Sequence, residues 1–224
     1  MAAVGESRIT YDARGLVEID GTPPRVAEID GDRAQFDARD LTIRKINAEL
    51  RRLLYEEGIK DVTVLNPGAK HSLGVGILAR CRITFDGSLG YFGCGLIDGP
   101  EIHVKGRVGW SACENMMSGV VVIDGNAGSL TGAAIRGGDL VIHGRVGART
   151  GIDQKGGTII VGGKVKSLGV DCVPGEWTDA DTEFIQRKFR IYGLGEPPEL
   201  QKFVCGKQLY NYDTLEPSER KLVL

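Results

Sequence analysis

The sequence predicts a β-solenoid, in which the chain winds into stacked coils and short strands of successive coils pair in parallel. Three observations predict it: a 19-residue repeat, a strand-like run at the start of each copy, and an unusual glycine content. There are 33 glycines in 224 residues, roughly twice the usual share. With only 8 prolines, the chain is neither collagen-like nor a Pro/Gly-rich disordered tract.

Glycines recur at a fixed spacing through the middle of the chain. One 19-residue period separates each member of the series Gly68, Gly87, Gly106, Gly125, Gly144 and Gly163 from the next. The period is expected to hold without an insertion from about residue 62 to 169, which gives close to six copies. Such a copy is too short for a strand plus a crossover helix, and no helical periodicity occurs inside it. We therefore expect an all-β solenoid over 61–169, a right-handed parallel β-helix of about six 19-residue coils.

Equivalent positions of successive copies should form columns that face either the core or solvent. The inward columns are Ile83, Ile102, Val121, Leu140 and Ile159; Phe85, Val104, Ile123, Ile142 and Val161; Leu89, Val108, Ala127, Val146 and Val165; and Leu78, Ile97, Met116 and Ile135. The polar column of Asp86, Lys105, Asp124 and His143 should face solvent.

Each flank of the repeat carries one helical pattern. In the N-terminal segment 1–60, an amphipathic helix is expected over 41–57, with Asp40 as N-cap and Gly58 as its stop. Because a β-helix has unpaired strands at its ends, this helix should cap the first coil. In the C-terminal segment 170–224, a helix is expected over Thr178–Arg190, followed by an extended arm from Phe203 onward.

One outward column turns apolar toward the later coils, at Val122, Val141 and Ile160. Either the chain's own tail covers this column, or the column belongs to a subunit interface, because an open apolar strip would be a liability. The arm adds further apolar surface with two tyrosines. The candidate partner interface is therefore Val122, Val141, Ile160, Phe203, Tyr210 and Tyr212.

No catalytic, cofactor-binding or metal-binding residue is predicted on this chain. Cys94 and Cys113 share a column one coil apart, with Val75, Gly132 and Gly151, and are interpreted as buried thiols. No C-x-x-C pair occurs, and the cysteine spacing fits no zinc or iron–sulfur pattern. None of the three histidines has a carboxylate or a cysteine at a telling sequence distance, so each is interpreted as structural.

Composition narrows the class of protein further. The net charge of -2 supplies no basic field for nucleic acid. No apolar run approaches the length of a membrane helix, and the start of the chain does not read as a signal peptide. Five widely spaced cysteines favour a reducing cytoplasm.

The strands with Gly-x-x-Gly corners, such as Gly87-Ser88-Leu89-Gly90, together with Gly-x-Gly units such as Gly93-Cys94-Gly95, resemble the GXGXG domain at the C-terminal end of the glutamate synthase large subunit. As a separate chain with an added arm, the sequence is similar to the stand-alone GXGXG subunits of N-methylglutamate synthases. The resemblance implies a non-catalytic subunit of a hetero-oligomer that converts glutamate and methylamine into N-methylglutamate and ammonia. It also implies a partner that resembles glutamine amidotransferases and a glutamate synthase-like partner that binds FMN and any iron–sulfur cluster.

Two other classes stay open from the sequence. The chain is also similar to the β-helix subunit of formylmethanofuran dehydrogenases, which act on a one-carbon carrier. The other class is an independent β-helix enzyme, for which the column of Asp86, Lys105, Asp124 and His143 is the candidate site. Alternating charges in a solvent column are ordinary, which disfavours this last interpretation.

Overall fold

The computed structural model describes residues 22–195 and 199–206, together with the backbone of Thr10–Tyr11 and Val17–Glu18. Its elements, in chain order, are β1 (Thr10–Tyr11), β2 (Val17–Glu18), β3 (Glu28–Asp30), β4 (Arg33–Asp37), α1 (Ile43–Arg51) with a π-helical turn (Arg52–Glu56), β5 (Asp61–Leu65), β6 (Arg82–Asp86), β7 (Glu101–Val104), β8 (Val120–Ile123), β9 (Asp139–Ile142), β10 (Thr158–Val161), β11 (Cys172–Pro174), α2 (Asp179–Tyr192) and β12 (Gln201–Cys205). β1 and β2 pair with each other, and the other ten strands form one sheet.

The seven strands from β4 to β10 pair in parallel, each with the next along the chain, and this confirms the β-solenoid. The column from Ile83 to Ile159 and the column from Phe85 to Val161 are both fully buried, as the strand alternation predicts. Since β5 to β10 bound five complete turns, the solenoid is slightly shorter than the six coils predicted.

The first turn is longer than the others, so the prediction of an uninterrupted period is wrong there. Arg82 pairs with Glu101, one full period further along the chain, whereas Asp61 pairs with Arg82, which lies two positions beyond one period. One of the two extra residues follows β5 and the other follows Ile77. Ile77 therefore occupies the inward position assigned to Leu78, and the Leu78 side chain is 60% exposed.

The helix before the repeat covers the first coil. Ile46, Leu50 and Leu53 are fully buried in the main core, and the apolar stripe of the helix explains why that face is turned inward. The N-cap is Thr42, whose side chain accepts a hydrogen bond from Lys45 N, and not Asp40 as predicted. On the outer side of β4, β3 adds an antiparallel strand.

The C-terminal end is closed by strands that run the other way. β12, the start of the predicted arm, pairs antiparallel with β10, and β11 pairs antiparallel with β12. Because β12 satisfies the free edge of β10, the parallel stack ends without an exposed ladder of hydrogen-bonding groups there.

The second helix is held at its start by a capping box between Thr178 and Asp181, and it ends at Gly193 in the left-handed conformation with φ 65°. Such a glycine is the usual helix stop. α2 packs across the outer face of the sheet, where it makes a second apolar cluster with β8, β9 and β10.

Candidate interaction surface

The structure corrects the predicted partner interface. Val122, Val141 and Ile160 are buried beneath α2 of the same chain, in contact with a cluster that includes Ile185 and Phe189. The column is apolar because an intramolecular helix covers it, which is the alternative that the sequence left open, although the cover is α2 and not the arm.

The arm residues of the predicted interface fall in two groups. Phe203 is buried in the main core, and within β12 it pairs with Ile159. Its side chain is therefore not available to a partner. Tyr210 and Tyr212 lie outside the described residues.

A polar network lies under α2, and it includes a histidine that sequence reasoning interpreted as having no telling partner. His103 Nε2 lies 2.7 Å from Asp124 Oδ1, and the His103 ring packs on Tyr192 with 4.1 Å between ring centroids. The Tyr192 hydroxyl donates to Glu101, and Lys188 Nζ lies 2.8 Å from the same carboxylate. Sequence reasoning missed the contact between His103 and Asp124 because Asp124 belongs to the next coil, 21 residues further along the chain. A search for partners at short sequence distances does not find such a pair.

The electrostatics of this network favour the ionised form of Glu101 and the neutral form of Tyr192. Burial alone would raise the pKa of Glu101, but hydrogen bonds from Lys188 and Tyr192 hold that pKa below its ordinary value. Burial and the neighbouring carboxylate raise the pKa of Tyr192. Since Lys188 and His103 are both buried, the network anchors α2 to the solenoid and presents no open site.

The solvent column proposed for an independent enzyme does not form one site. Lys105 Nζ lies 3.4 Å from Asp86 in an exposed ion pair, whereas Asp124 is bound to His103. His143 Nε2 lies 2.6 Å from the Gly195 carbonyl oxygen. The four side chains are thus divided among three separate contacts, and no acid and base converge on a common point.

The cysteine column is confirmed as buried, with one change in its members. Cys94 and Cys113 are both buried reduced thiols. Because the first turn is longer, Gly74 and not Val75 lies beneath Cys94, and a Cβ on Gly74 would be 3.9 Å from the Cys94 sulfur. A hydrogen bond with Cys94, together with burial, raises the pKa of Cys113 well above its ordinary value, so the Cys113 thiol is a poor nucleophile.

An exposed stack of aromatic rings was not predicted. His71, Tyr91 and Trp110 occupy equivalent positions of three successive coils, and we call them the aromatic ladder. The ring centroids of His71 and Tyr91 are 4.6 Å apart, and those of Tyr91 and Trp110 are 5.4 Å apart. Tyr91 is 51% exposed and Trp110 is 57% exposed. The ladder thus forms a rigid aromatic strip on the outside of the solenoid.

Glycines of the repeat make room for these rings. A Cβ on Gly109 would lie 2.5 Å from Tyr91 Cδ1, and a Cβ on Gly128 would lie 2.6 Å from Trp110 Cδ1. The Cδ1 atoms of Tyr91 and Trp110 therefore each lie close to a glycine of the next coil. Tyr91 N also donates a hydrogen bond of 2.9 Å to His71 Nδ1, which fixes the first ring.

The surface beside the ladder also carries exposed apolar side chains, among charged ones such as Asp98. In each turn, the segment between the ladder position and the next strand forms one side of the solenoid, which we call the third face. Leu78, Leu96 and Met117 are exposed on it. Tyr55 extends the third face toward the π-helical turn after α1, since its hydroxyl accepts a hydrogen bond of 2.8 Å from Leu78 N. Together with the aromatic ladder, these exposed apolar side chains make the third face the candidate interaction surface.

Within the described ranges, no group of three or more His, Cys, Asp or Glu side chains is placed to hold a metal ion. Neither of the two helices described here has the length and apolar character needed to cross a bilayer. The class that the fold and the surface define is a β-solenoid with an exposed, partly aromatic surface. No family model, no curated protein and no solved structure matches the chain.

Proposed function

We propose that this chain is a non-catalytic structural subunit of a glutamate-synthase-like flavoenzyme complex, and that the third face with its aromatic ladder binds the FMN-carrying subunit. The binding role rests on one observation, the exposed stack of His71, Tyr91 and Trp110. Tyrosine and tryptophan dominate the energetics of protein interfaces. Rings already held in place lose little conformational entropy on binding.

The geometry of the ladder favours a protein partner over a flat ligand. Tyr91 has a ring stacked on each of its two faces, and Tyr91 covers one face of His71 and one face of Trp110. A sugar or a nucleobase would need an open ring face on which to stack. What the ladder offers is a row of ring edges on the side of the solenoid that also exposes Leu96 and Met117, and this fits a protein surface with apolar side chains.

The identity of the complex rests on the resemblance of the glycine-cornered repeat to the GXGXG domain. In that arrangement the partner holds FMN and any iron–sulfur cluster, and a second partner resembles glutamine amidotransferases. The overall reaction is that of glutamate with methylamine to give N-methylglutamate and ammonia. This chain contributes the scaffold that fixes the partners relative to one another.

Co-purification of the chain with the flavin subunit tests the proposal. Trp110→Ala and Tyr91→Ala should each weaken the complex by roughly 30-fold or more, because truncation of an interface anchor costs about 2 kcal/mol or more. Trp177→Ala is the matched control, since Trp177 is the only other tryptophan and is exposed at the start of α2. If both ladder variants retain the partner as fully as Trp177→Ala does, the interface lies elsewhere.

The yellow colour of FMN gives a second readout. We expect the flavin and the turnover to appear only in preparations that contain the partner. A flavin-loaded preparation of this subunit alone would overturn the division of labour.

A further inference from the structure

We propose that Cys172 and Cys205 are a redox-active pair that forms a reversible disulfide between β11 and β12. The two residues lie directly opposite each other in the antiparallel register of these strands. Both are thiols in this structure. The proposal concerns the C-terminal end of the solenoid and is independent of the proposed function.

The hydrogen-bond pattern places the pair at a favourable position for a disulfide. Gly206 N donates to the Asp171 carbonyl at 2.8 Å, so these two residues form a hydrogen-bonded pair. Because the two kinds of pair alternate along an antiparallel ladder, Cys172 and Cys205 form a non-hydrogen-bonded pair, with Cα atoms about 4.5 Å apart and side chains close together. Disulfides form over Cα separations of about 4.4–6.8 Å, so little backbone movement is needed.

Both sulfurs also point toward the same coil of the solenoid. Cys205 Sγ donates a hydrogen bond of 3.0 Å to the Gln154 carbonyl. A Cβ built on Gly151 would lie 2.6 Å from Cys172 Sγ. Since Gly151 and Gln154 belong to one short segment, the two thiols share one side of the β11–β12 ribbon.

The oxidant in this proposal is a low-molecular-weight disulfide. The difference in burial between the two cysteines determines which of them reacts with it first. Cys205 is partly exposed, whereas Cys172 is buried, and burial, with the neighbouring Cys205, raises the pKa of Cys172 to about 11. The Cys205 thiolate attacks one sulfur of the oxidant, whose S–S bond breaks and releases one thiolate. Cys172 then loses its proton to solvent and attacks Cys205 Sγ, and the second small thiolate leaves. Two protein thiols are thereby oxidised and one small disulfide is reduced to two thiols.

The pair Cys94 and Cys113 provides an internal comparison. These residues are also neighbours, but both are buried inside the solenoid, where an oxidant in solution does not reach them. The pair of Cys172 and Cys205 differs from them because a dissolved oxidant can reach the partly exposed Cys205. In a reducing compartment the pair is expected to rest as thiols and to close only under oxidative challenge.

The disulfide would close a loop that contains the whole of α2. Because the ends of this loop would no longer separate in the unfolded chain, the oxidised protein should unfold at a higher temperature than the reduced protein. The link would also hold β12 against the last coil, where it covers the edge of β10.

The experiment incubates the full chain with oxidised glutathione under native conditions, alkylates the remaining thiols, and maps the products by peptide mass spectrometry. We expect loss of two of the five thiols, a linked peptide pair containing Cys172 and Cys205, and a rise in Tm that a reductant reverses. Cys205→Ser should abolish both the linked peptides and the rise in Tm. Cys81→Ser, which removes a thiol outside the pair, should behave as the wild type.

Three results would overturn the proposal. One is retention of all five thiols. Another is a stable mixed disulfide with glutathione on Cys205 that never passes to Cys172. The third is a bridge mapped to other cysteines.

Discussion

Replacement of Val141 by Glu tests whether α2 covers the sheet. Val141 lies in the middle of β9, fully buried between the sheet and Ile185 and Phe189 of α2. A carboxylate at this position has two fates. Either it stays buried without a partner, or α2 detaches and the carboxylate reaches water.

The outcome that costs less free energy determines how much Val141→Glu destabilises the protein. An unpaired buried carboxylate costs far more than several kcal/mol unless it is protonated. Detachment of α2 gives up the burial of two large side chains, Ile185 and Phe189, at roughly 1.5–3 kcal/mol each. The sum is about 3–6 kcal/mol, to which the uncovering of Val122 and Ile160 and the loss of the contact between Lys188 and Glu101 add further amounts. We therefore expect α2 to detach while the coils beneath it stay folded, because the inward columns do not involve Val141.

Hydrogen exchange measured residue by residue distinguishes these fates. In Val141→Glu, the amides of α2 should lose protection, and those of β6 to β8 should keep most of theirs. Lys105→Ala, at an exposed position, is the control and should change stability by less than about 0.5 kcal/mol. Wild-type protection of α2 in the glutamate variant would refute the packing described here, and a uniform loss of protection would show that the solenoid depends on the helix.

Two further predictions concern the ladder and the network under α2. Gly128→Ala should lower the free energy of unfolding by about 1–3 kcal/mol, because the new Cβ would lie 2.6 Å from Trp110 and 2.7 Å from the Gly109 backbone. Denaturant titration measures this change. Gly195→Ala is the control and should be close to neutral, since a Cβ on Gly195 would have nothing within 4 Å. The pKa of Glu101 in the folded protein is lowered from its ordinary 4.5. Its contribution to stability is therefore complete above 4.5 and is lost as the pH falls through the lower folded-state pKa. Glu101→Gln should flatten the loss of stability in that acid range, and an unchanged slope would show that Glu101 is not the titrating group.

The repeat carried most of the information about the fold. β-branched runs at the 19-residue spacing located β6 to β10 correctly, because each coil pairs with the next and the same side-chain type is needed at each level. The length of the first turn was predicted wrongly because Gly68 lies one 19-residue period before Gly87, so the turn looked like a regular copy. The backbone there follows a different register, with Lys70 O accepting from Gly90 N.

The same misjudged register concealed the aromatic ladder. With a fixed period, His71 falls below Gly90 and looks like a substituted corner glycine, whereas the longer turn places it below Tyr91. A signal was nevertheless present, because Tyr91 and Trp110 are themselves one period apart and each directly follows a corner glycine of its own copy, Gly90 or Gly109. The β11–β12 pairing carried no such signal, since both strands lie outside the repeat and run antiparallel.

The distribution of covered and open surface separates the two proposals. α1 and β3 lie at the first-coil end of the solenoid, β12 and β11 lie at the last-coil end, and α2 lies over β8 to β10. The apolar cluster of α2 involves β8 to β10 and none of the third-face residues Leu78, Leu96 and Met117, and the aromatic character of the third face is not uniform. The ladder ends at Trp110 because the next two positions are Ser129 and Ala148. In the proposed function, the strongest contacts with the partner would therefore lie at the coils near α1, several coils away from Cys172 and Cys205. Oxidation of the cysteine pair should consequently change the stability of the C-terminal end without weakening the complex, and loss of the ladder should weaken the complex without altering the thiol chemistry.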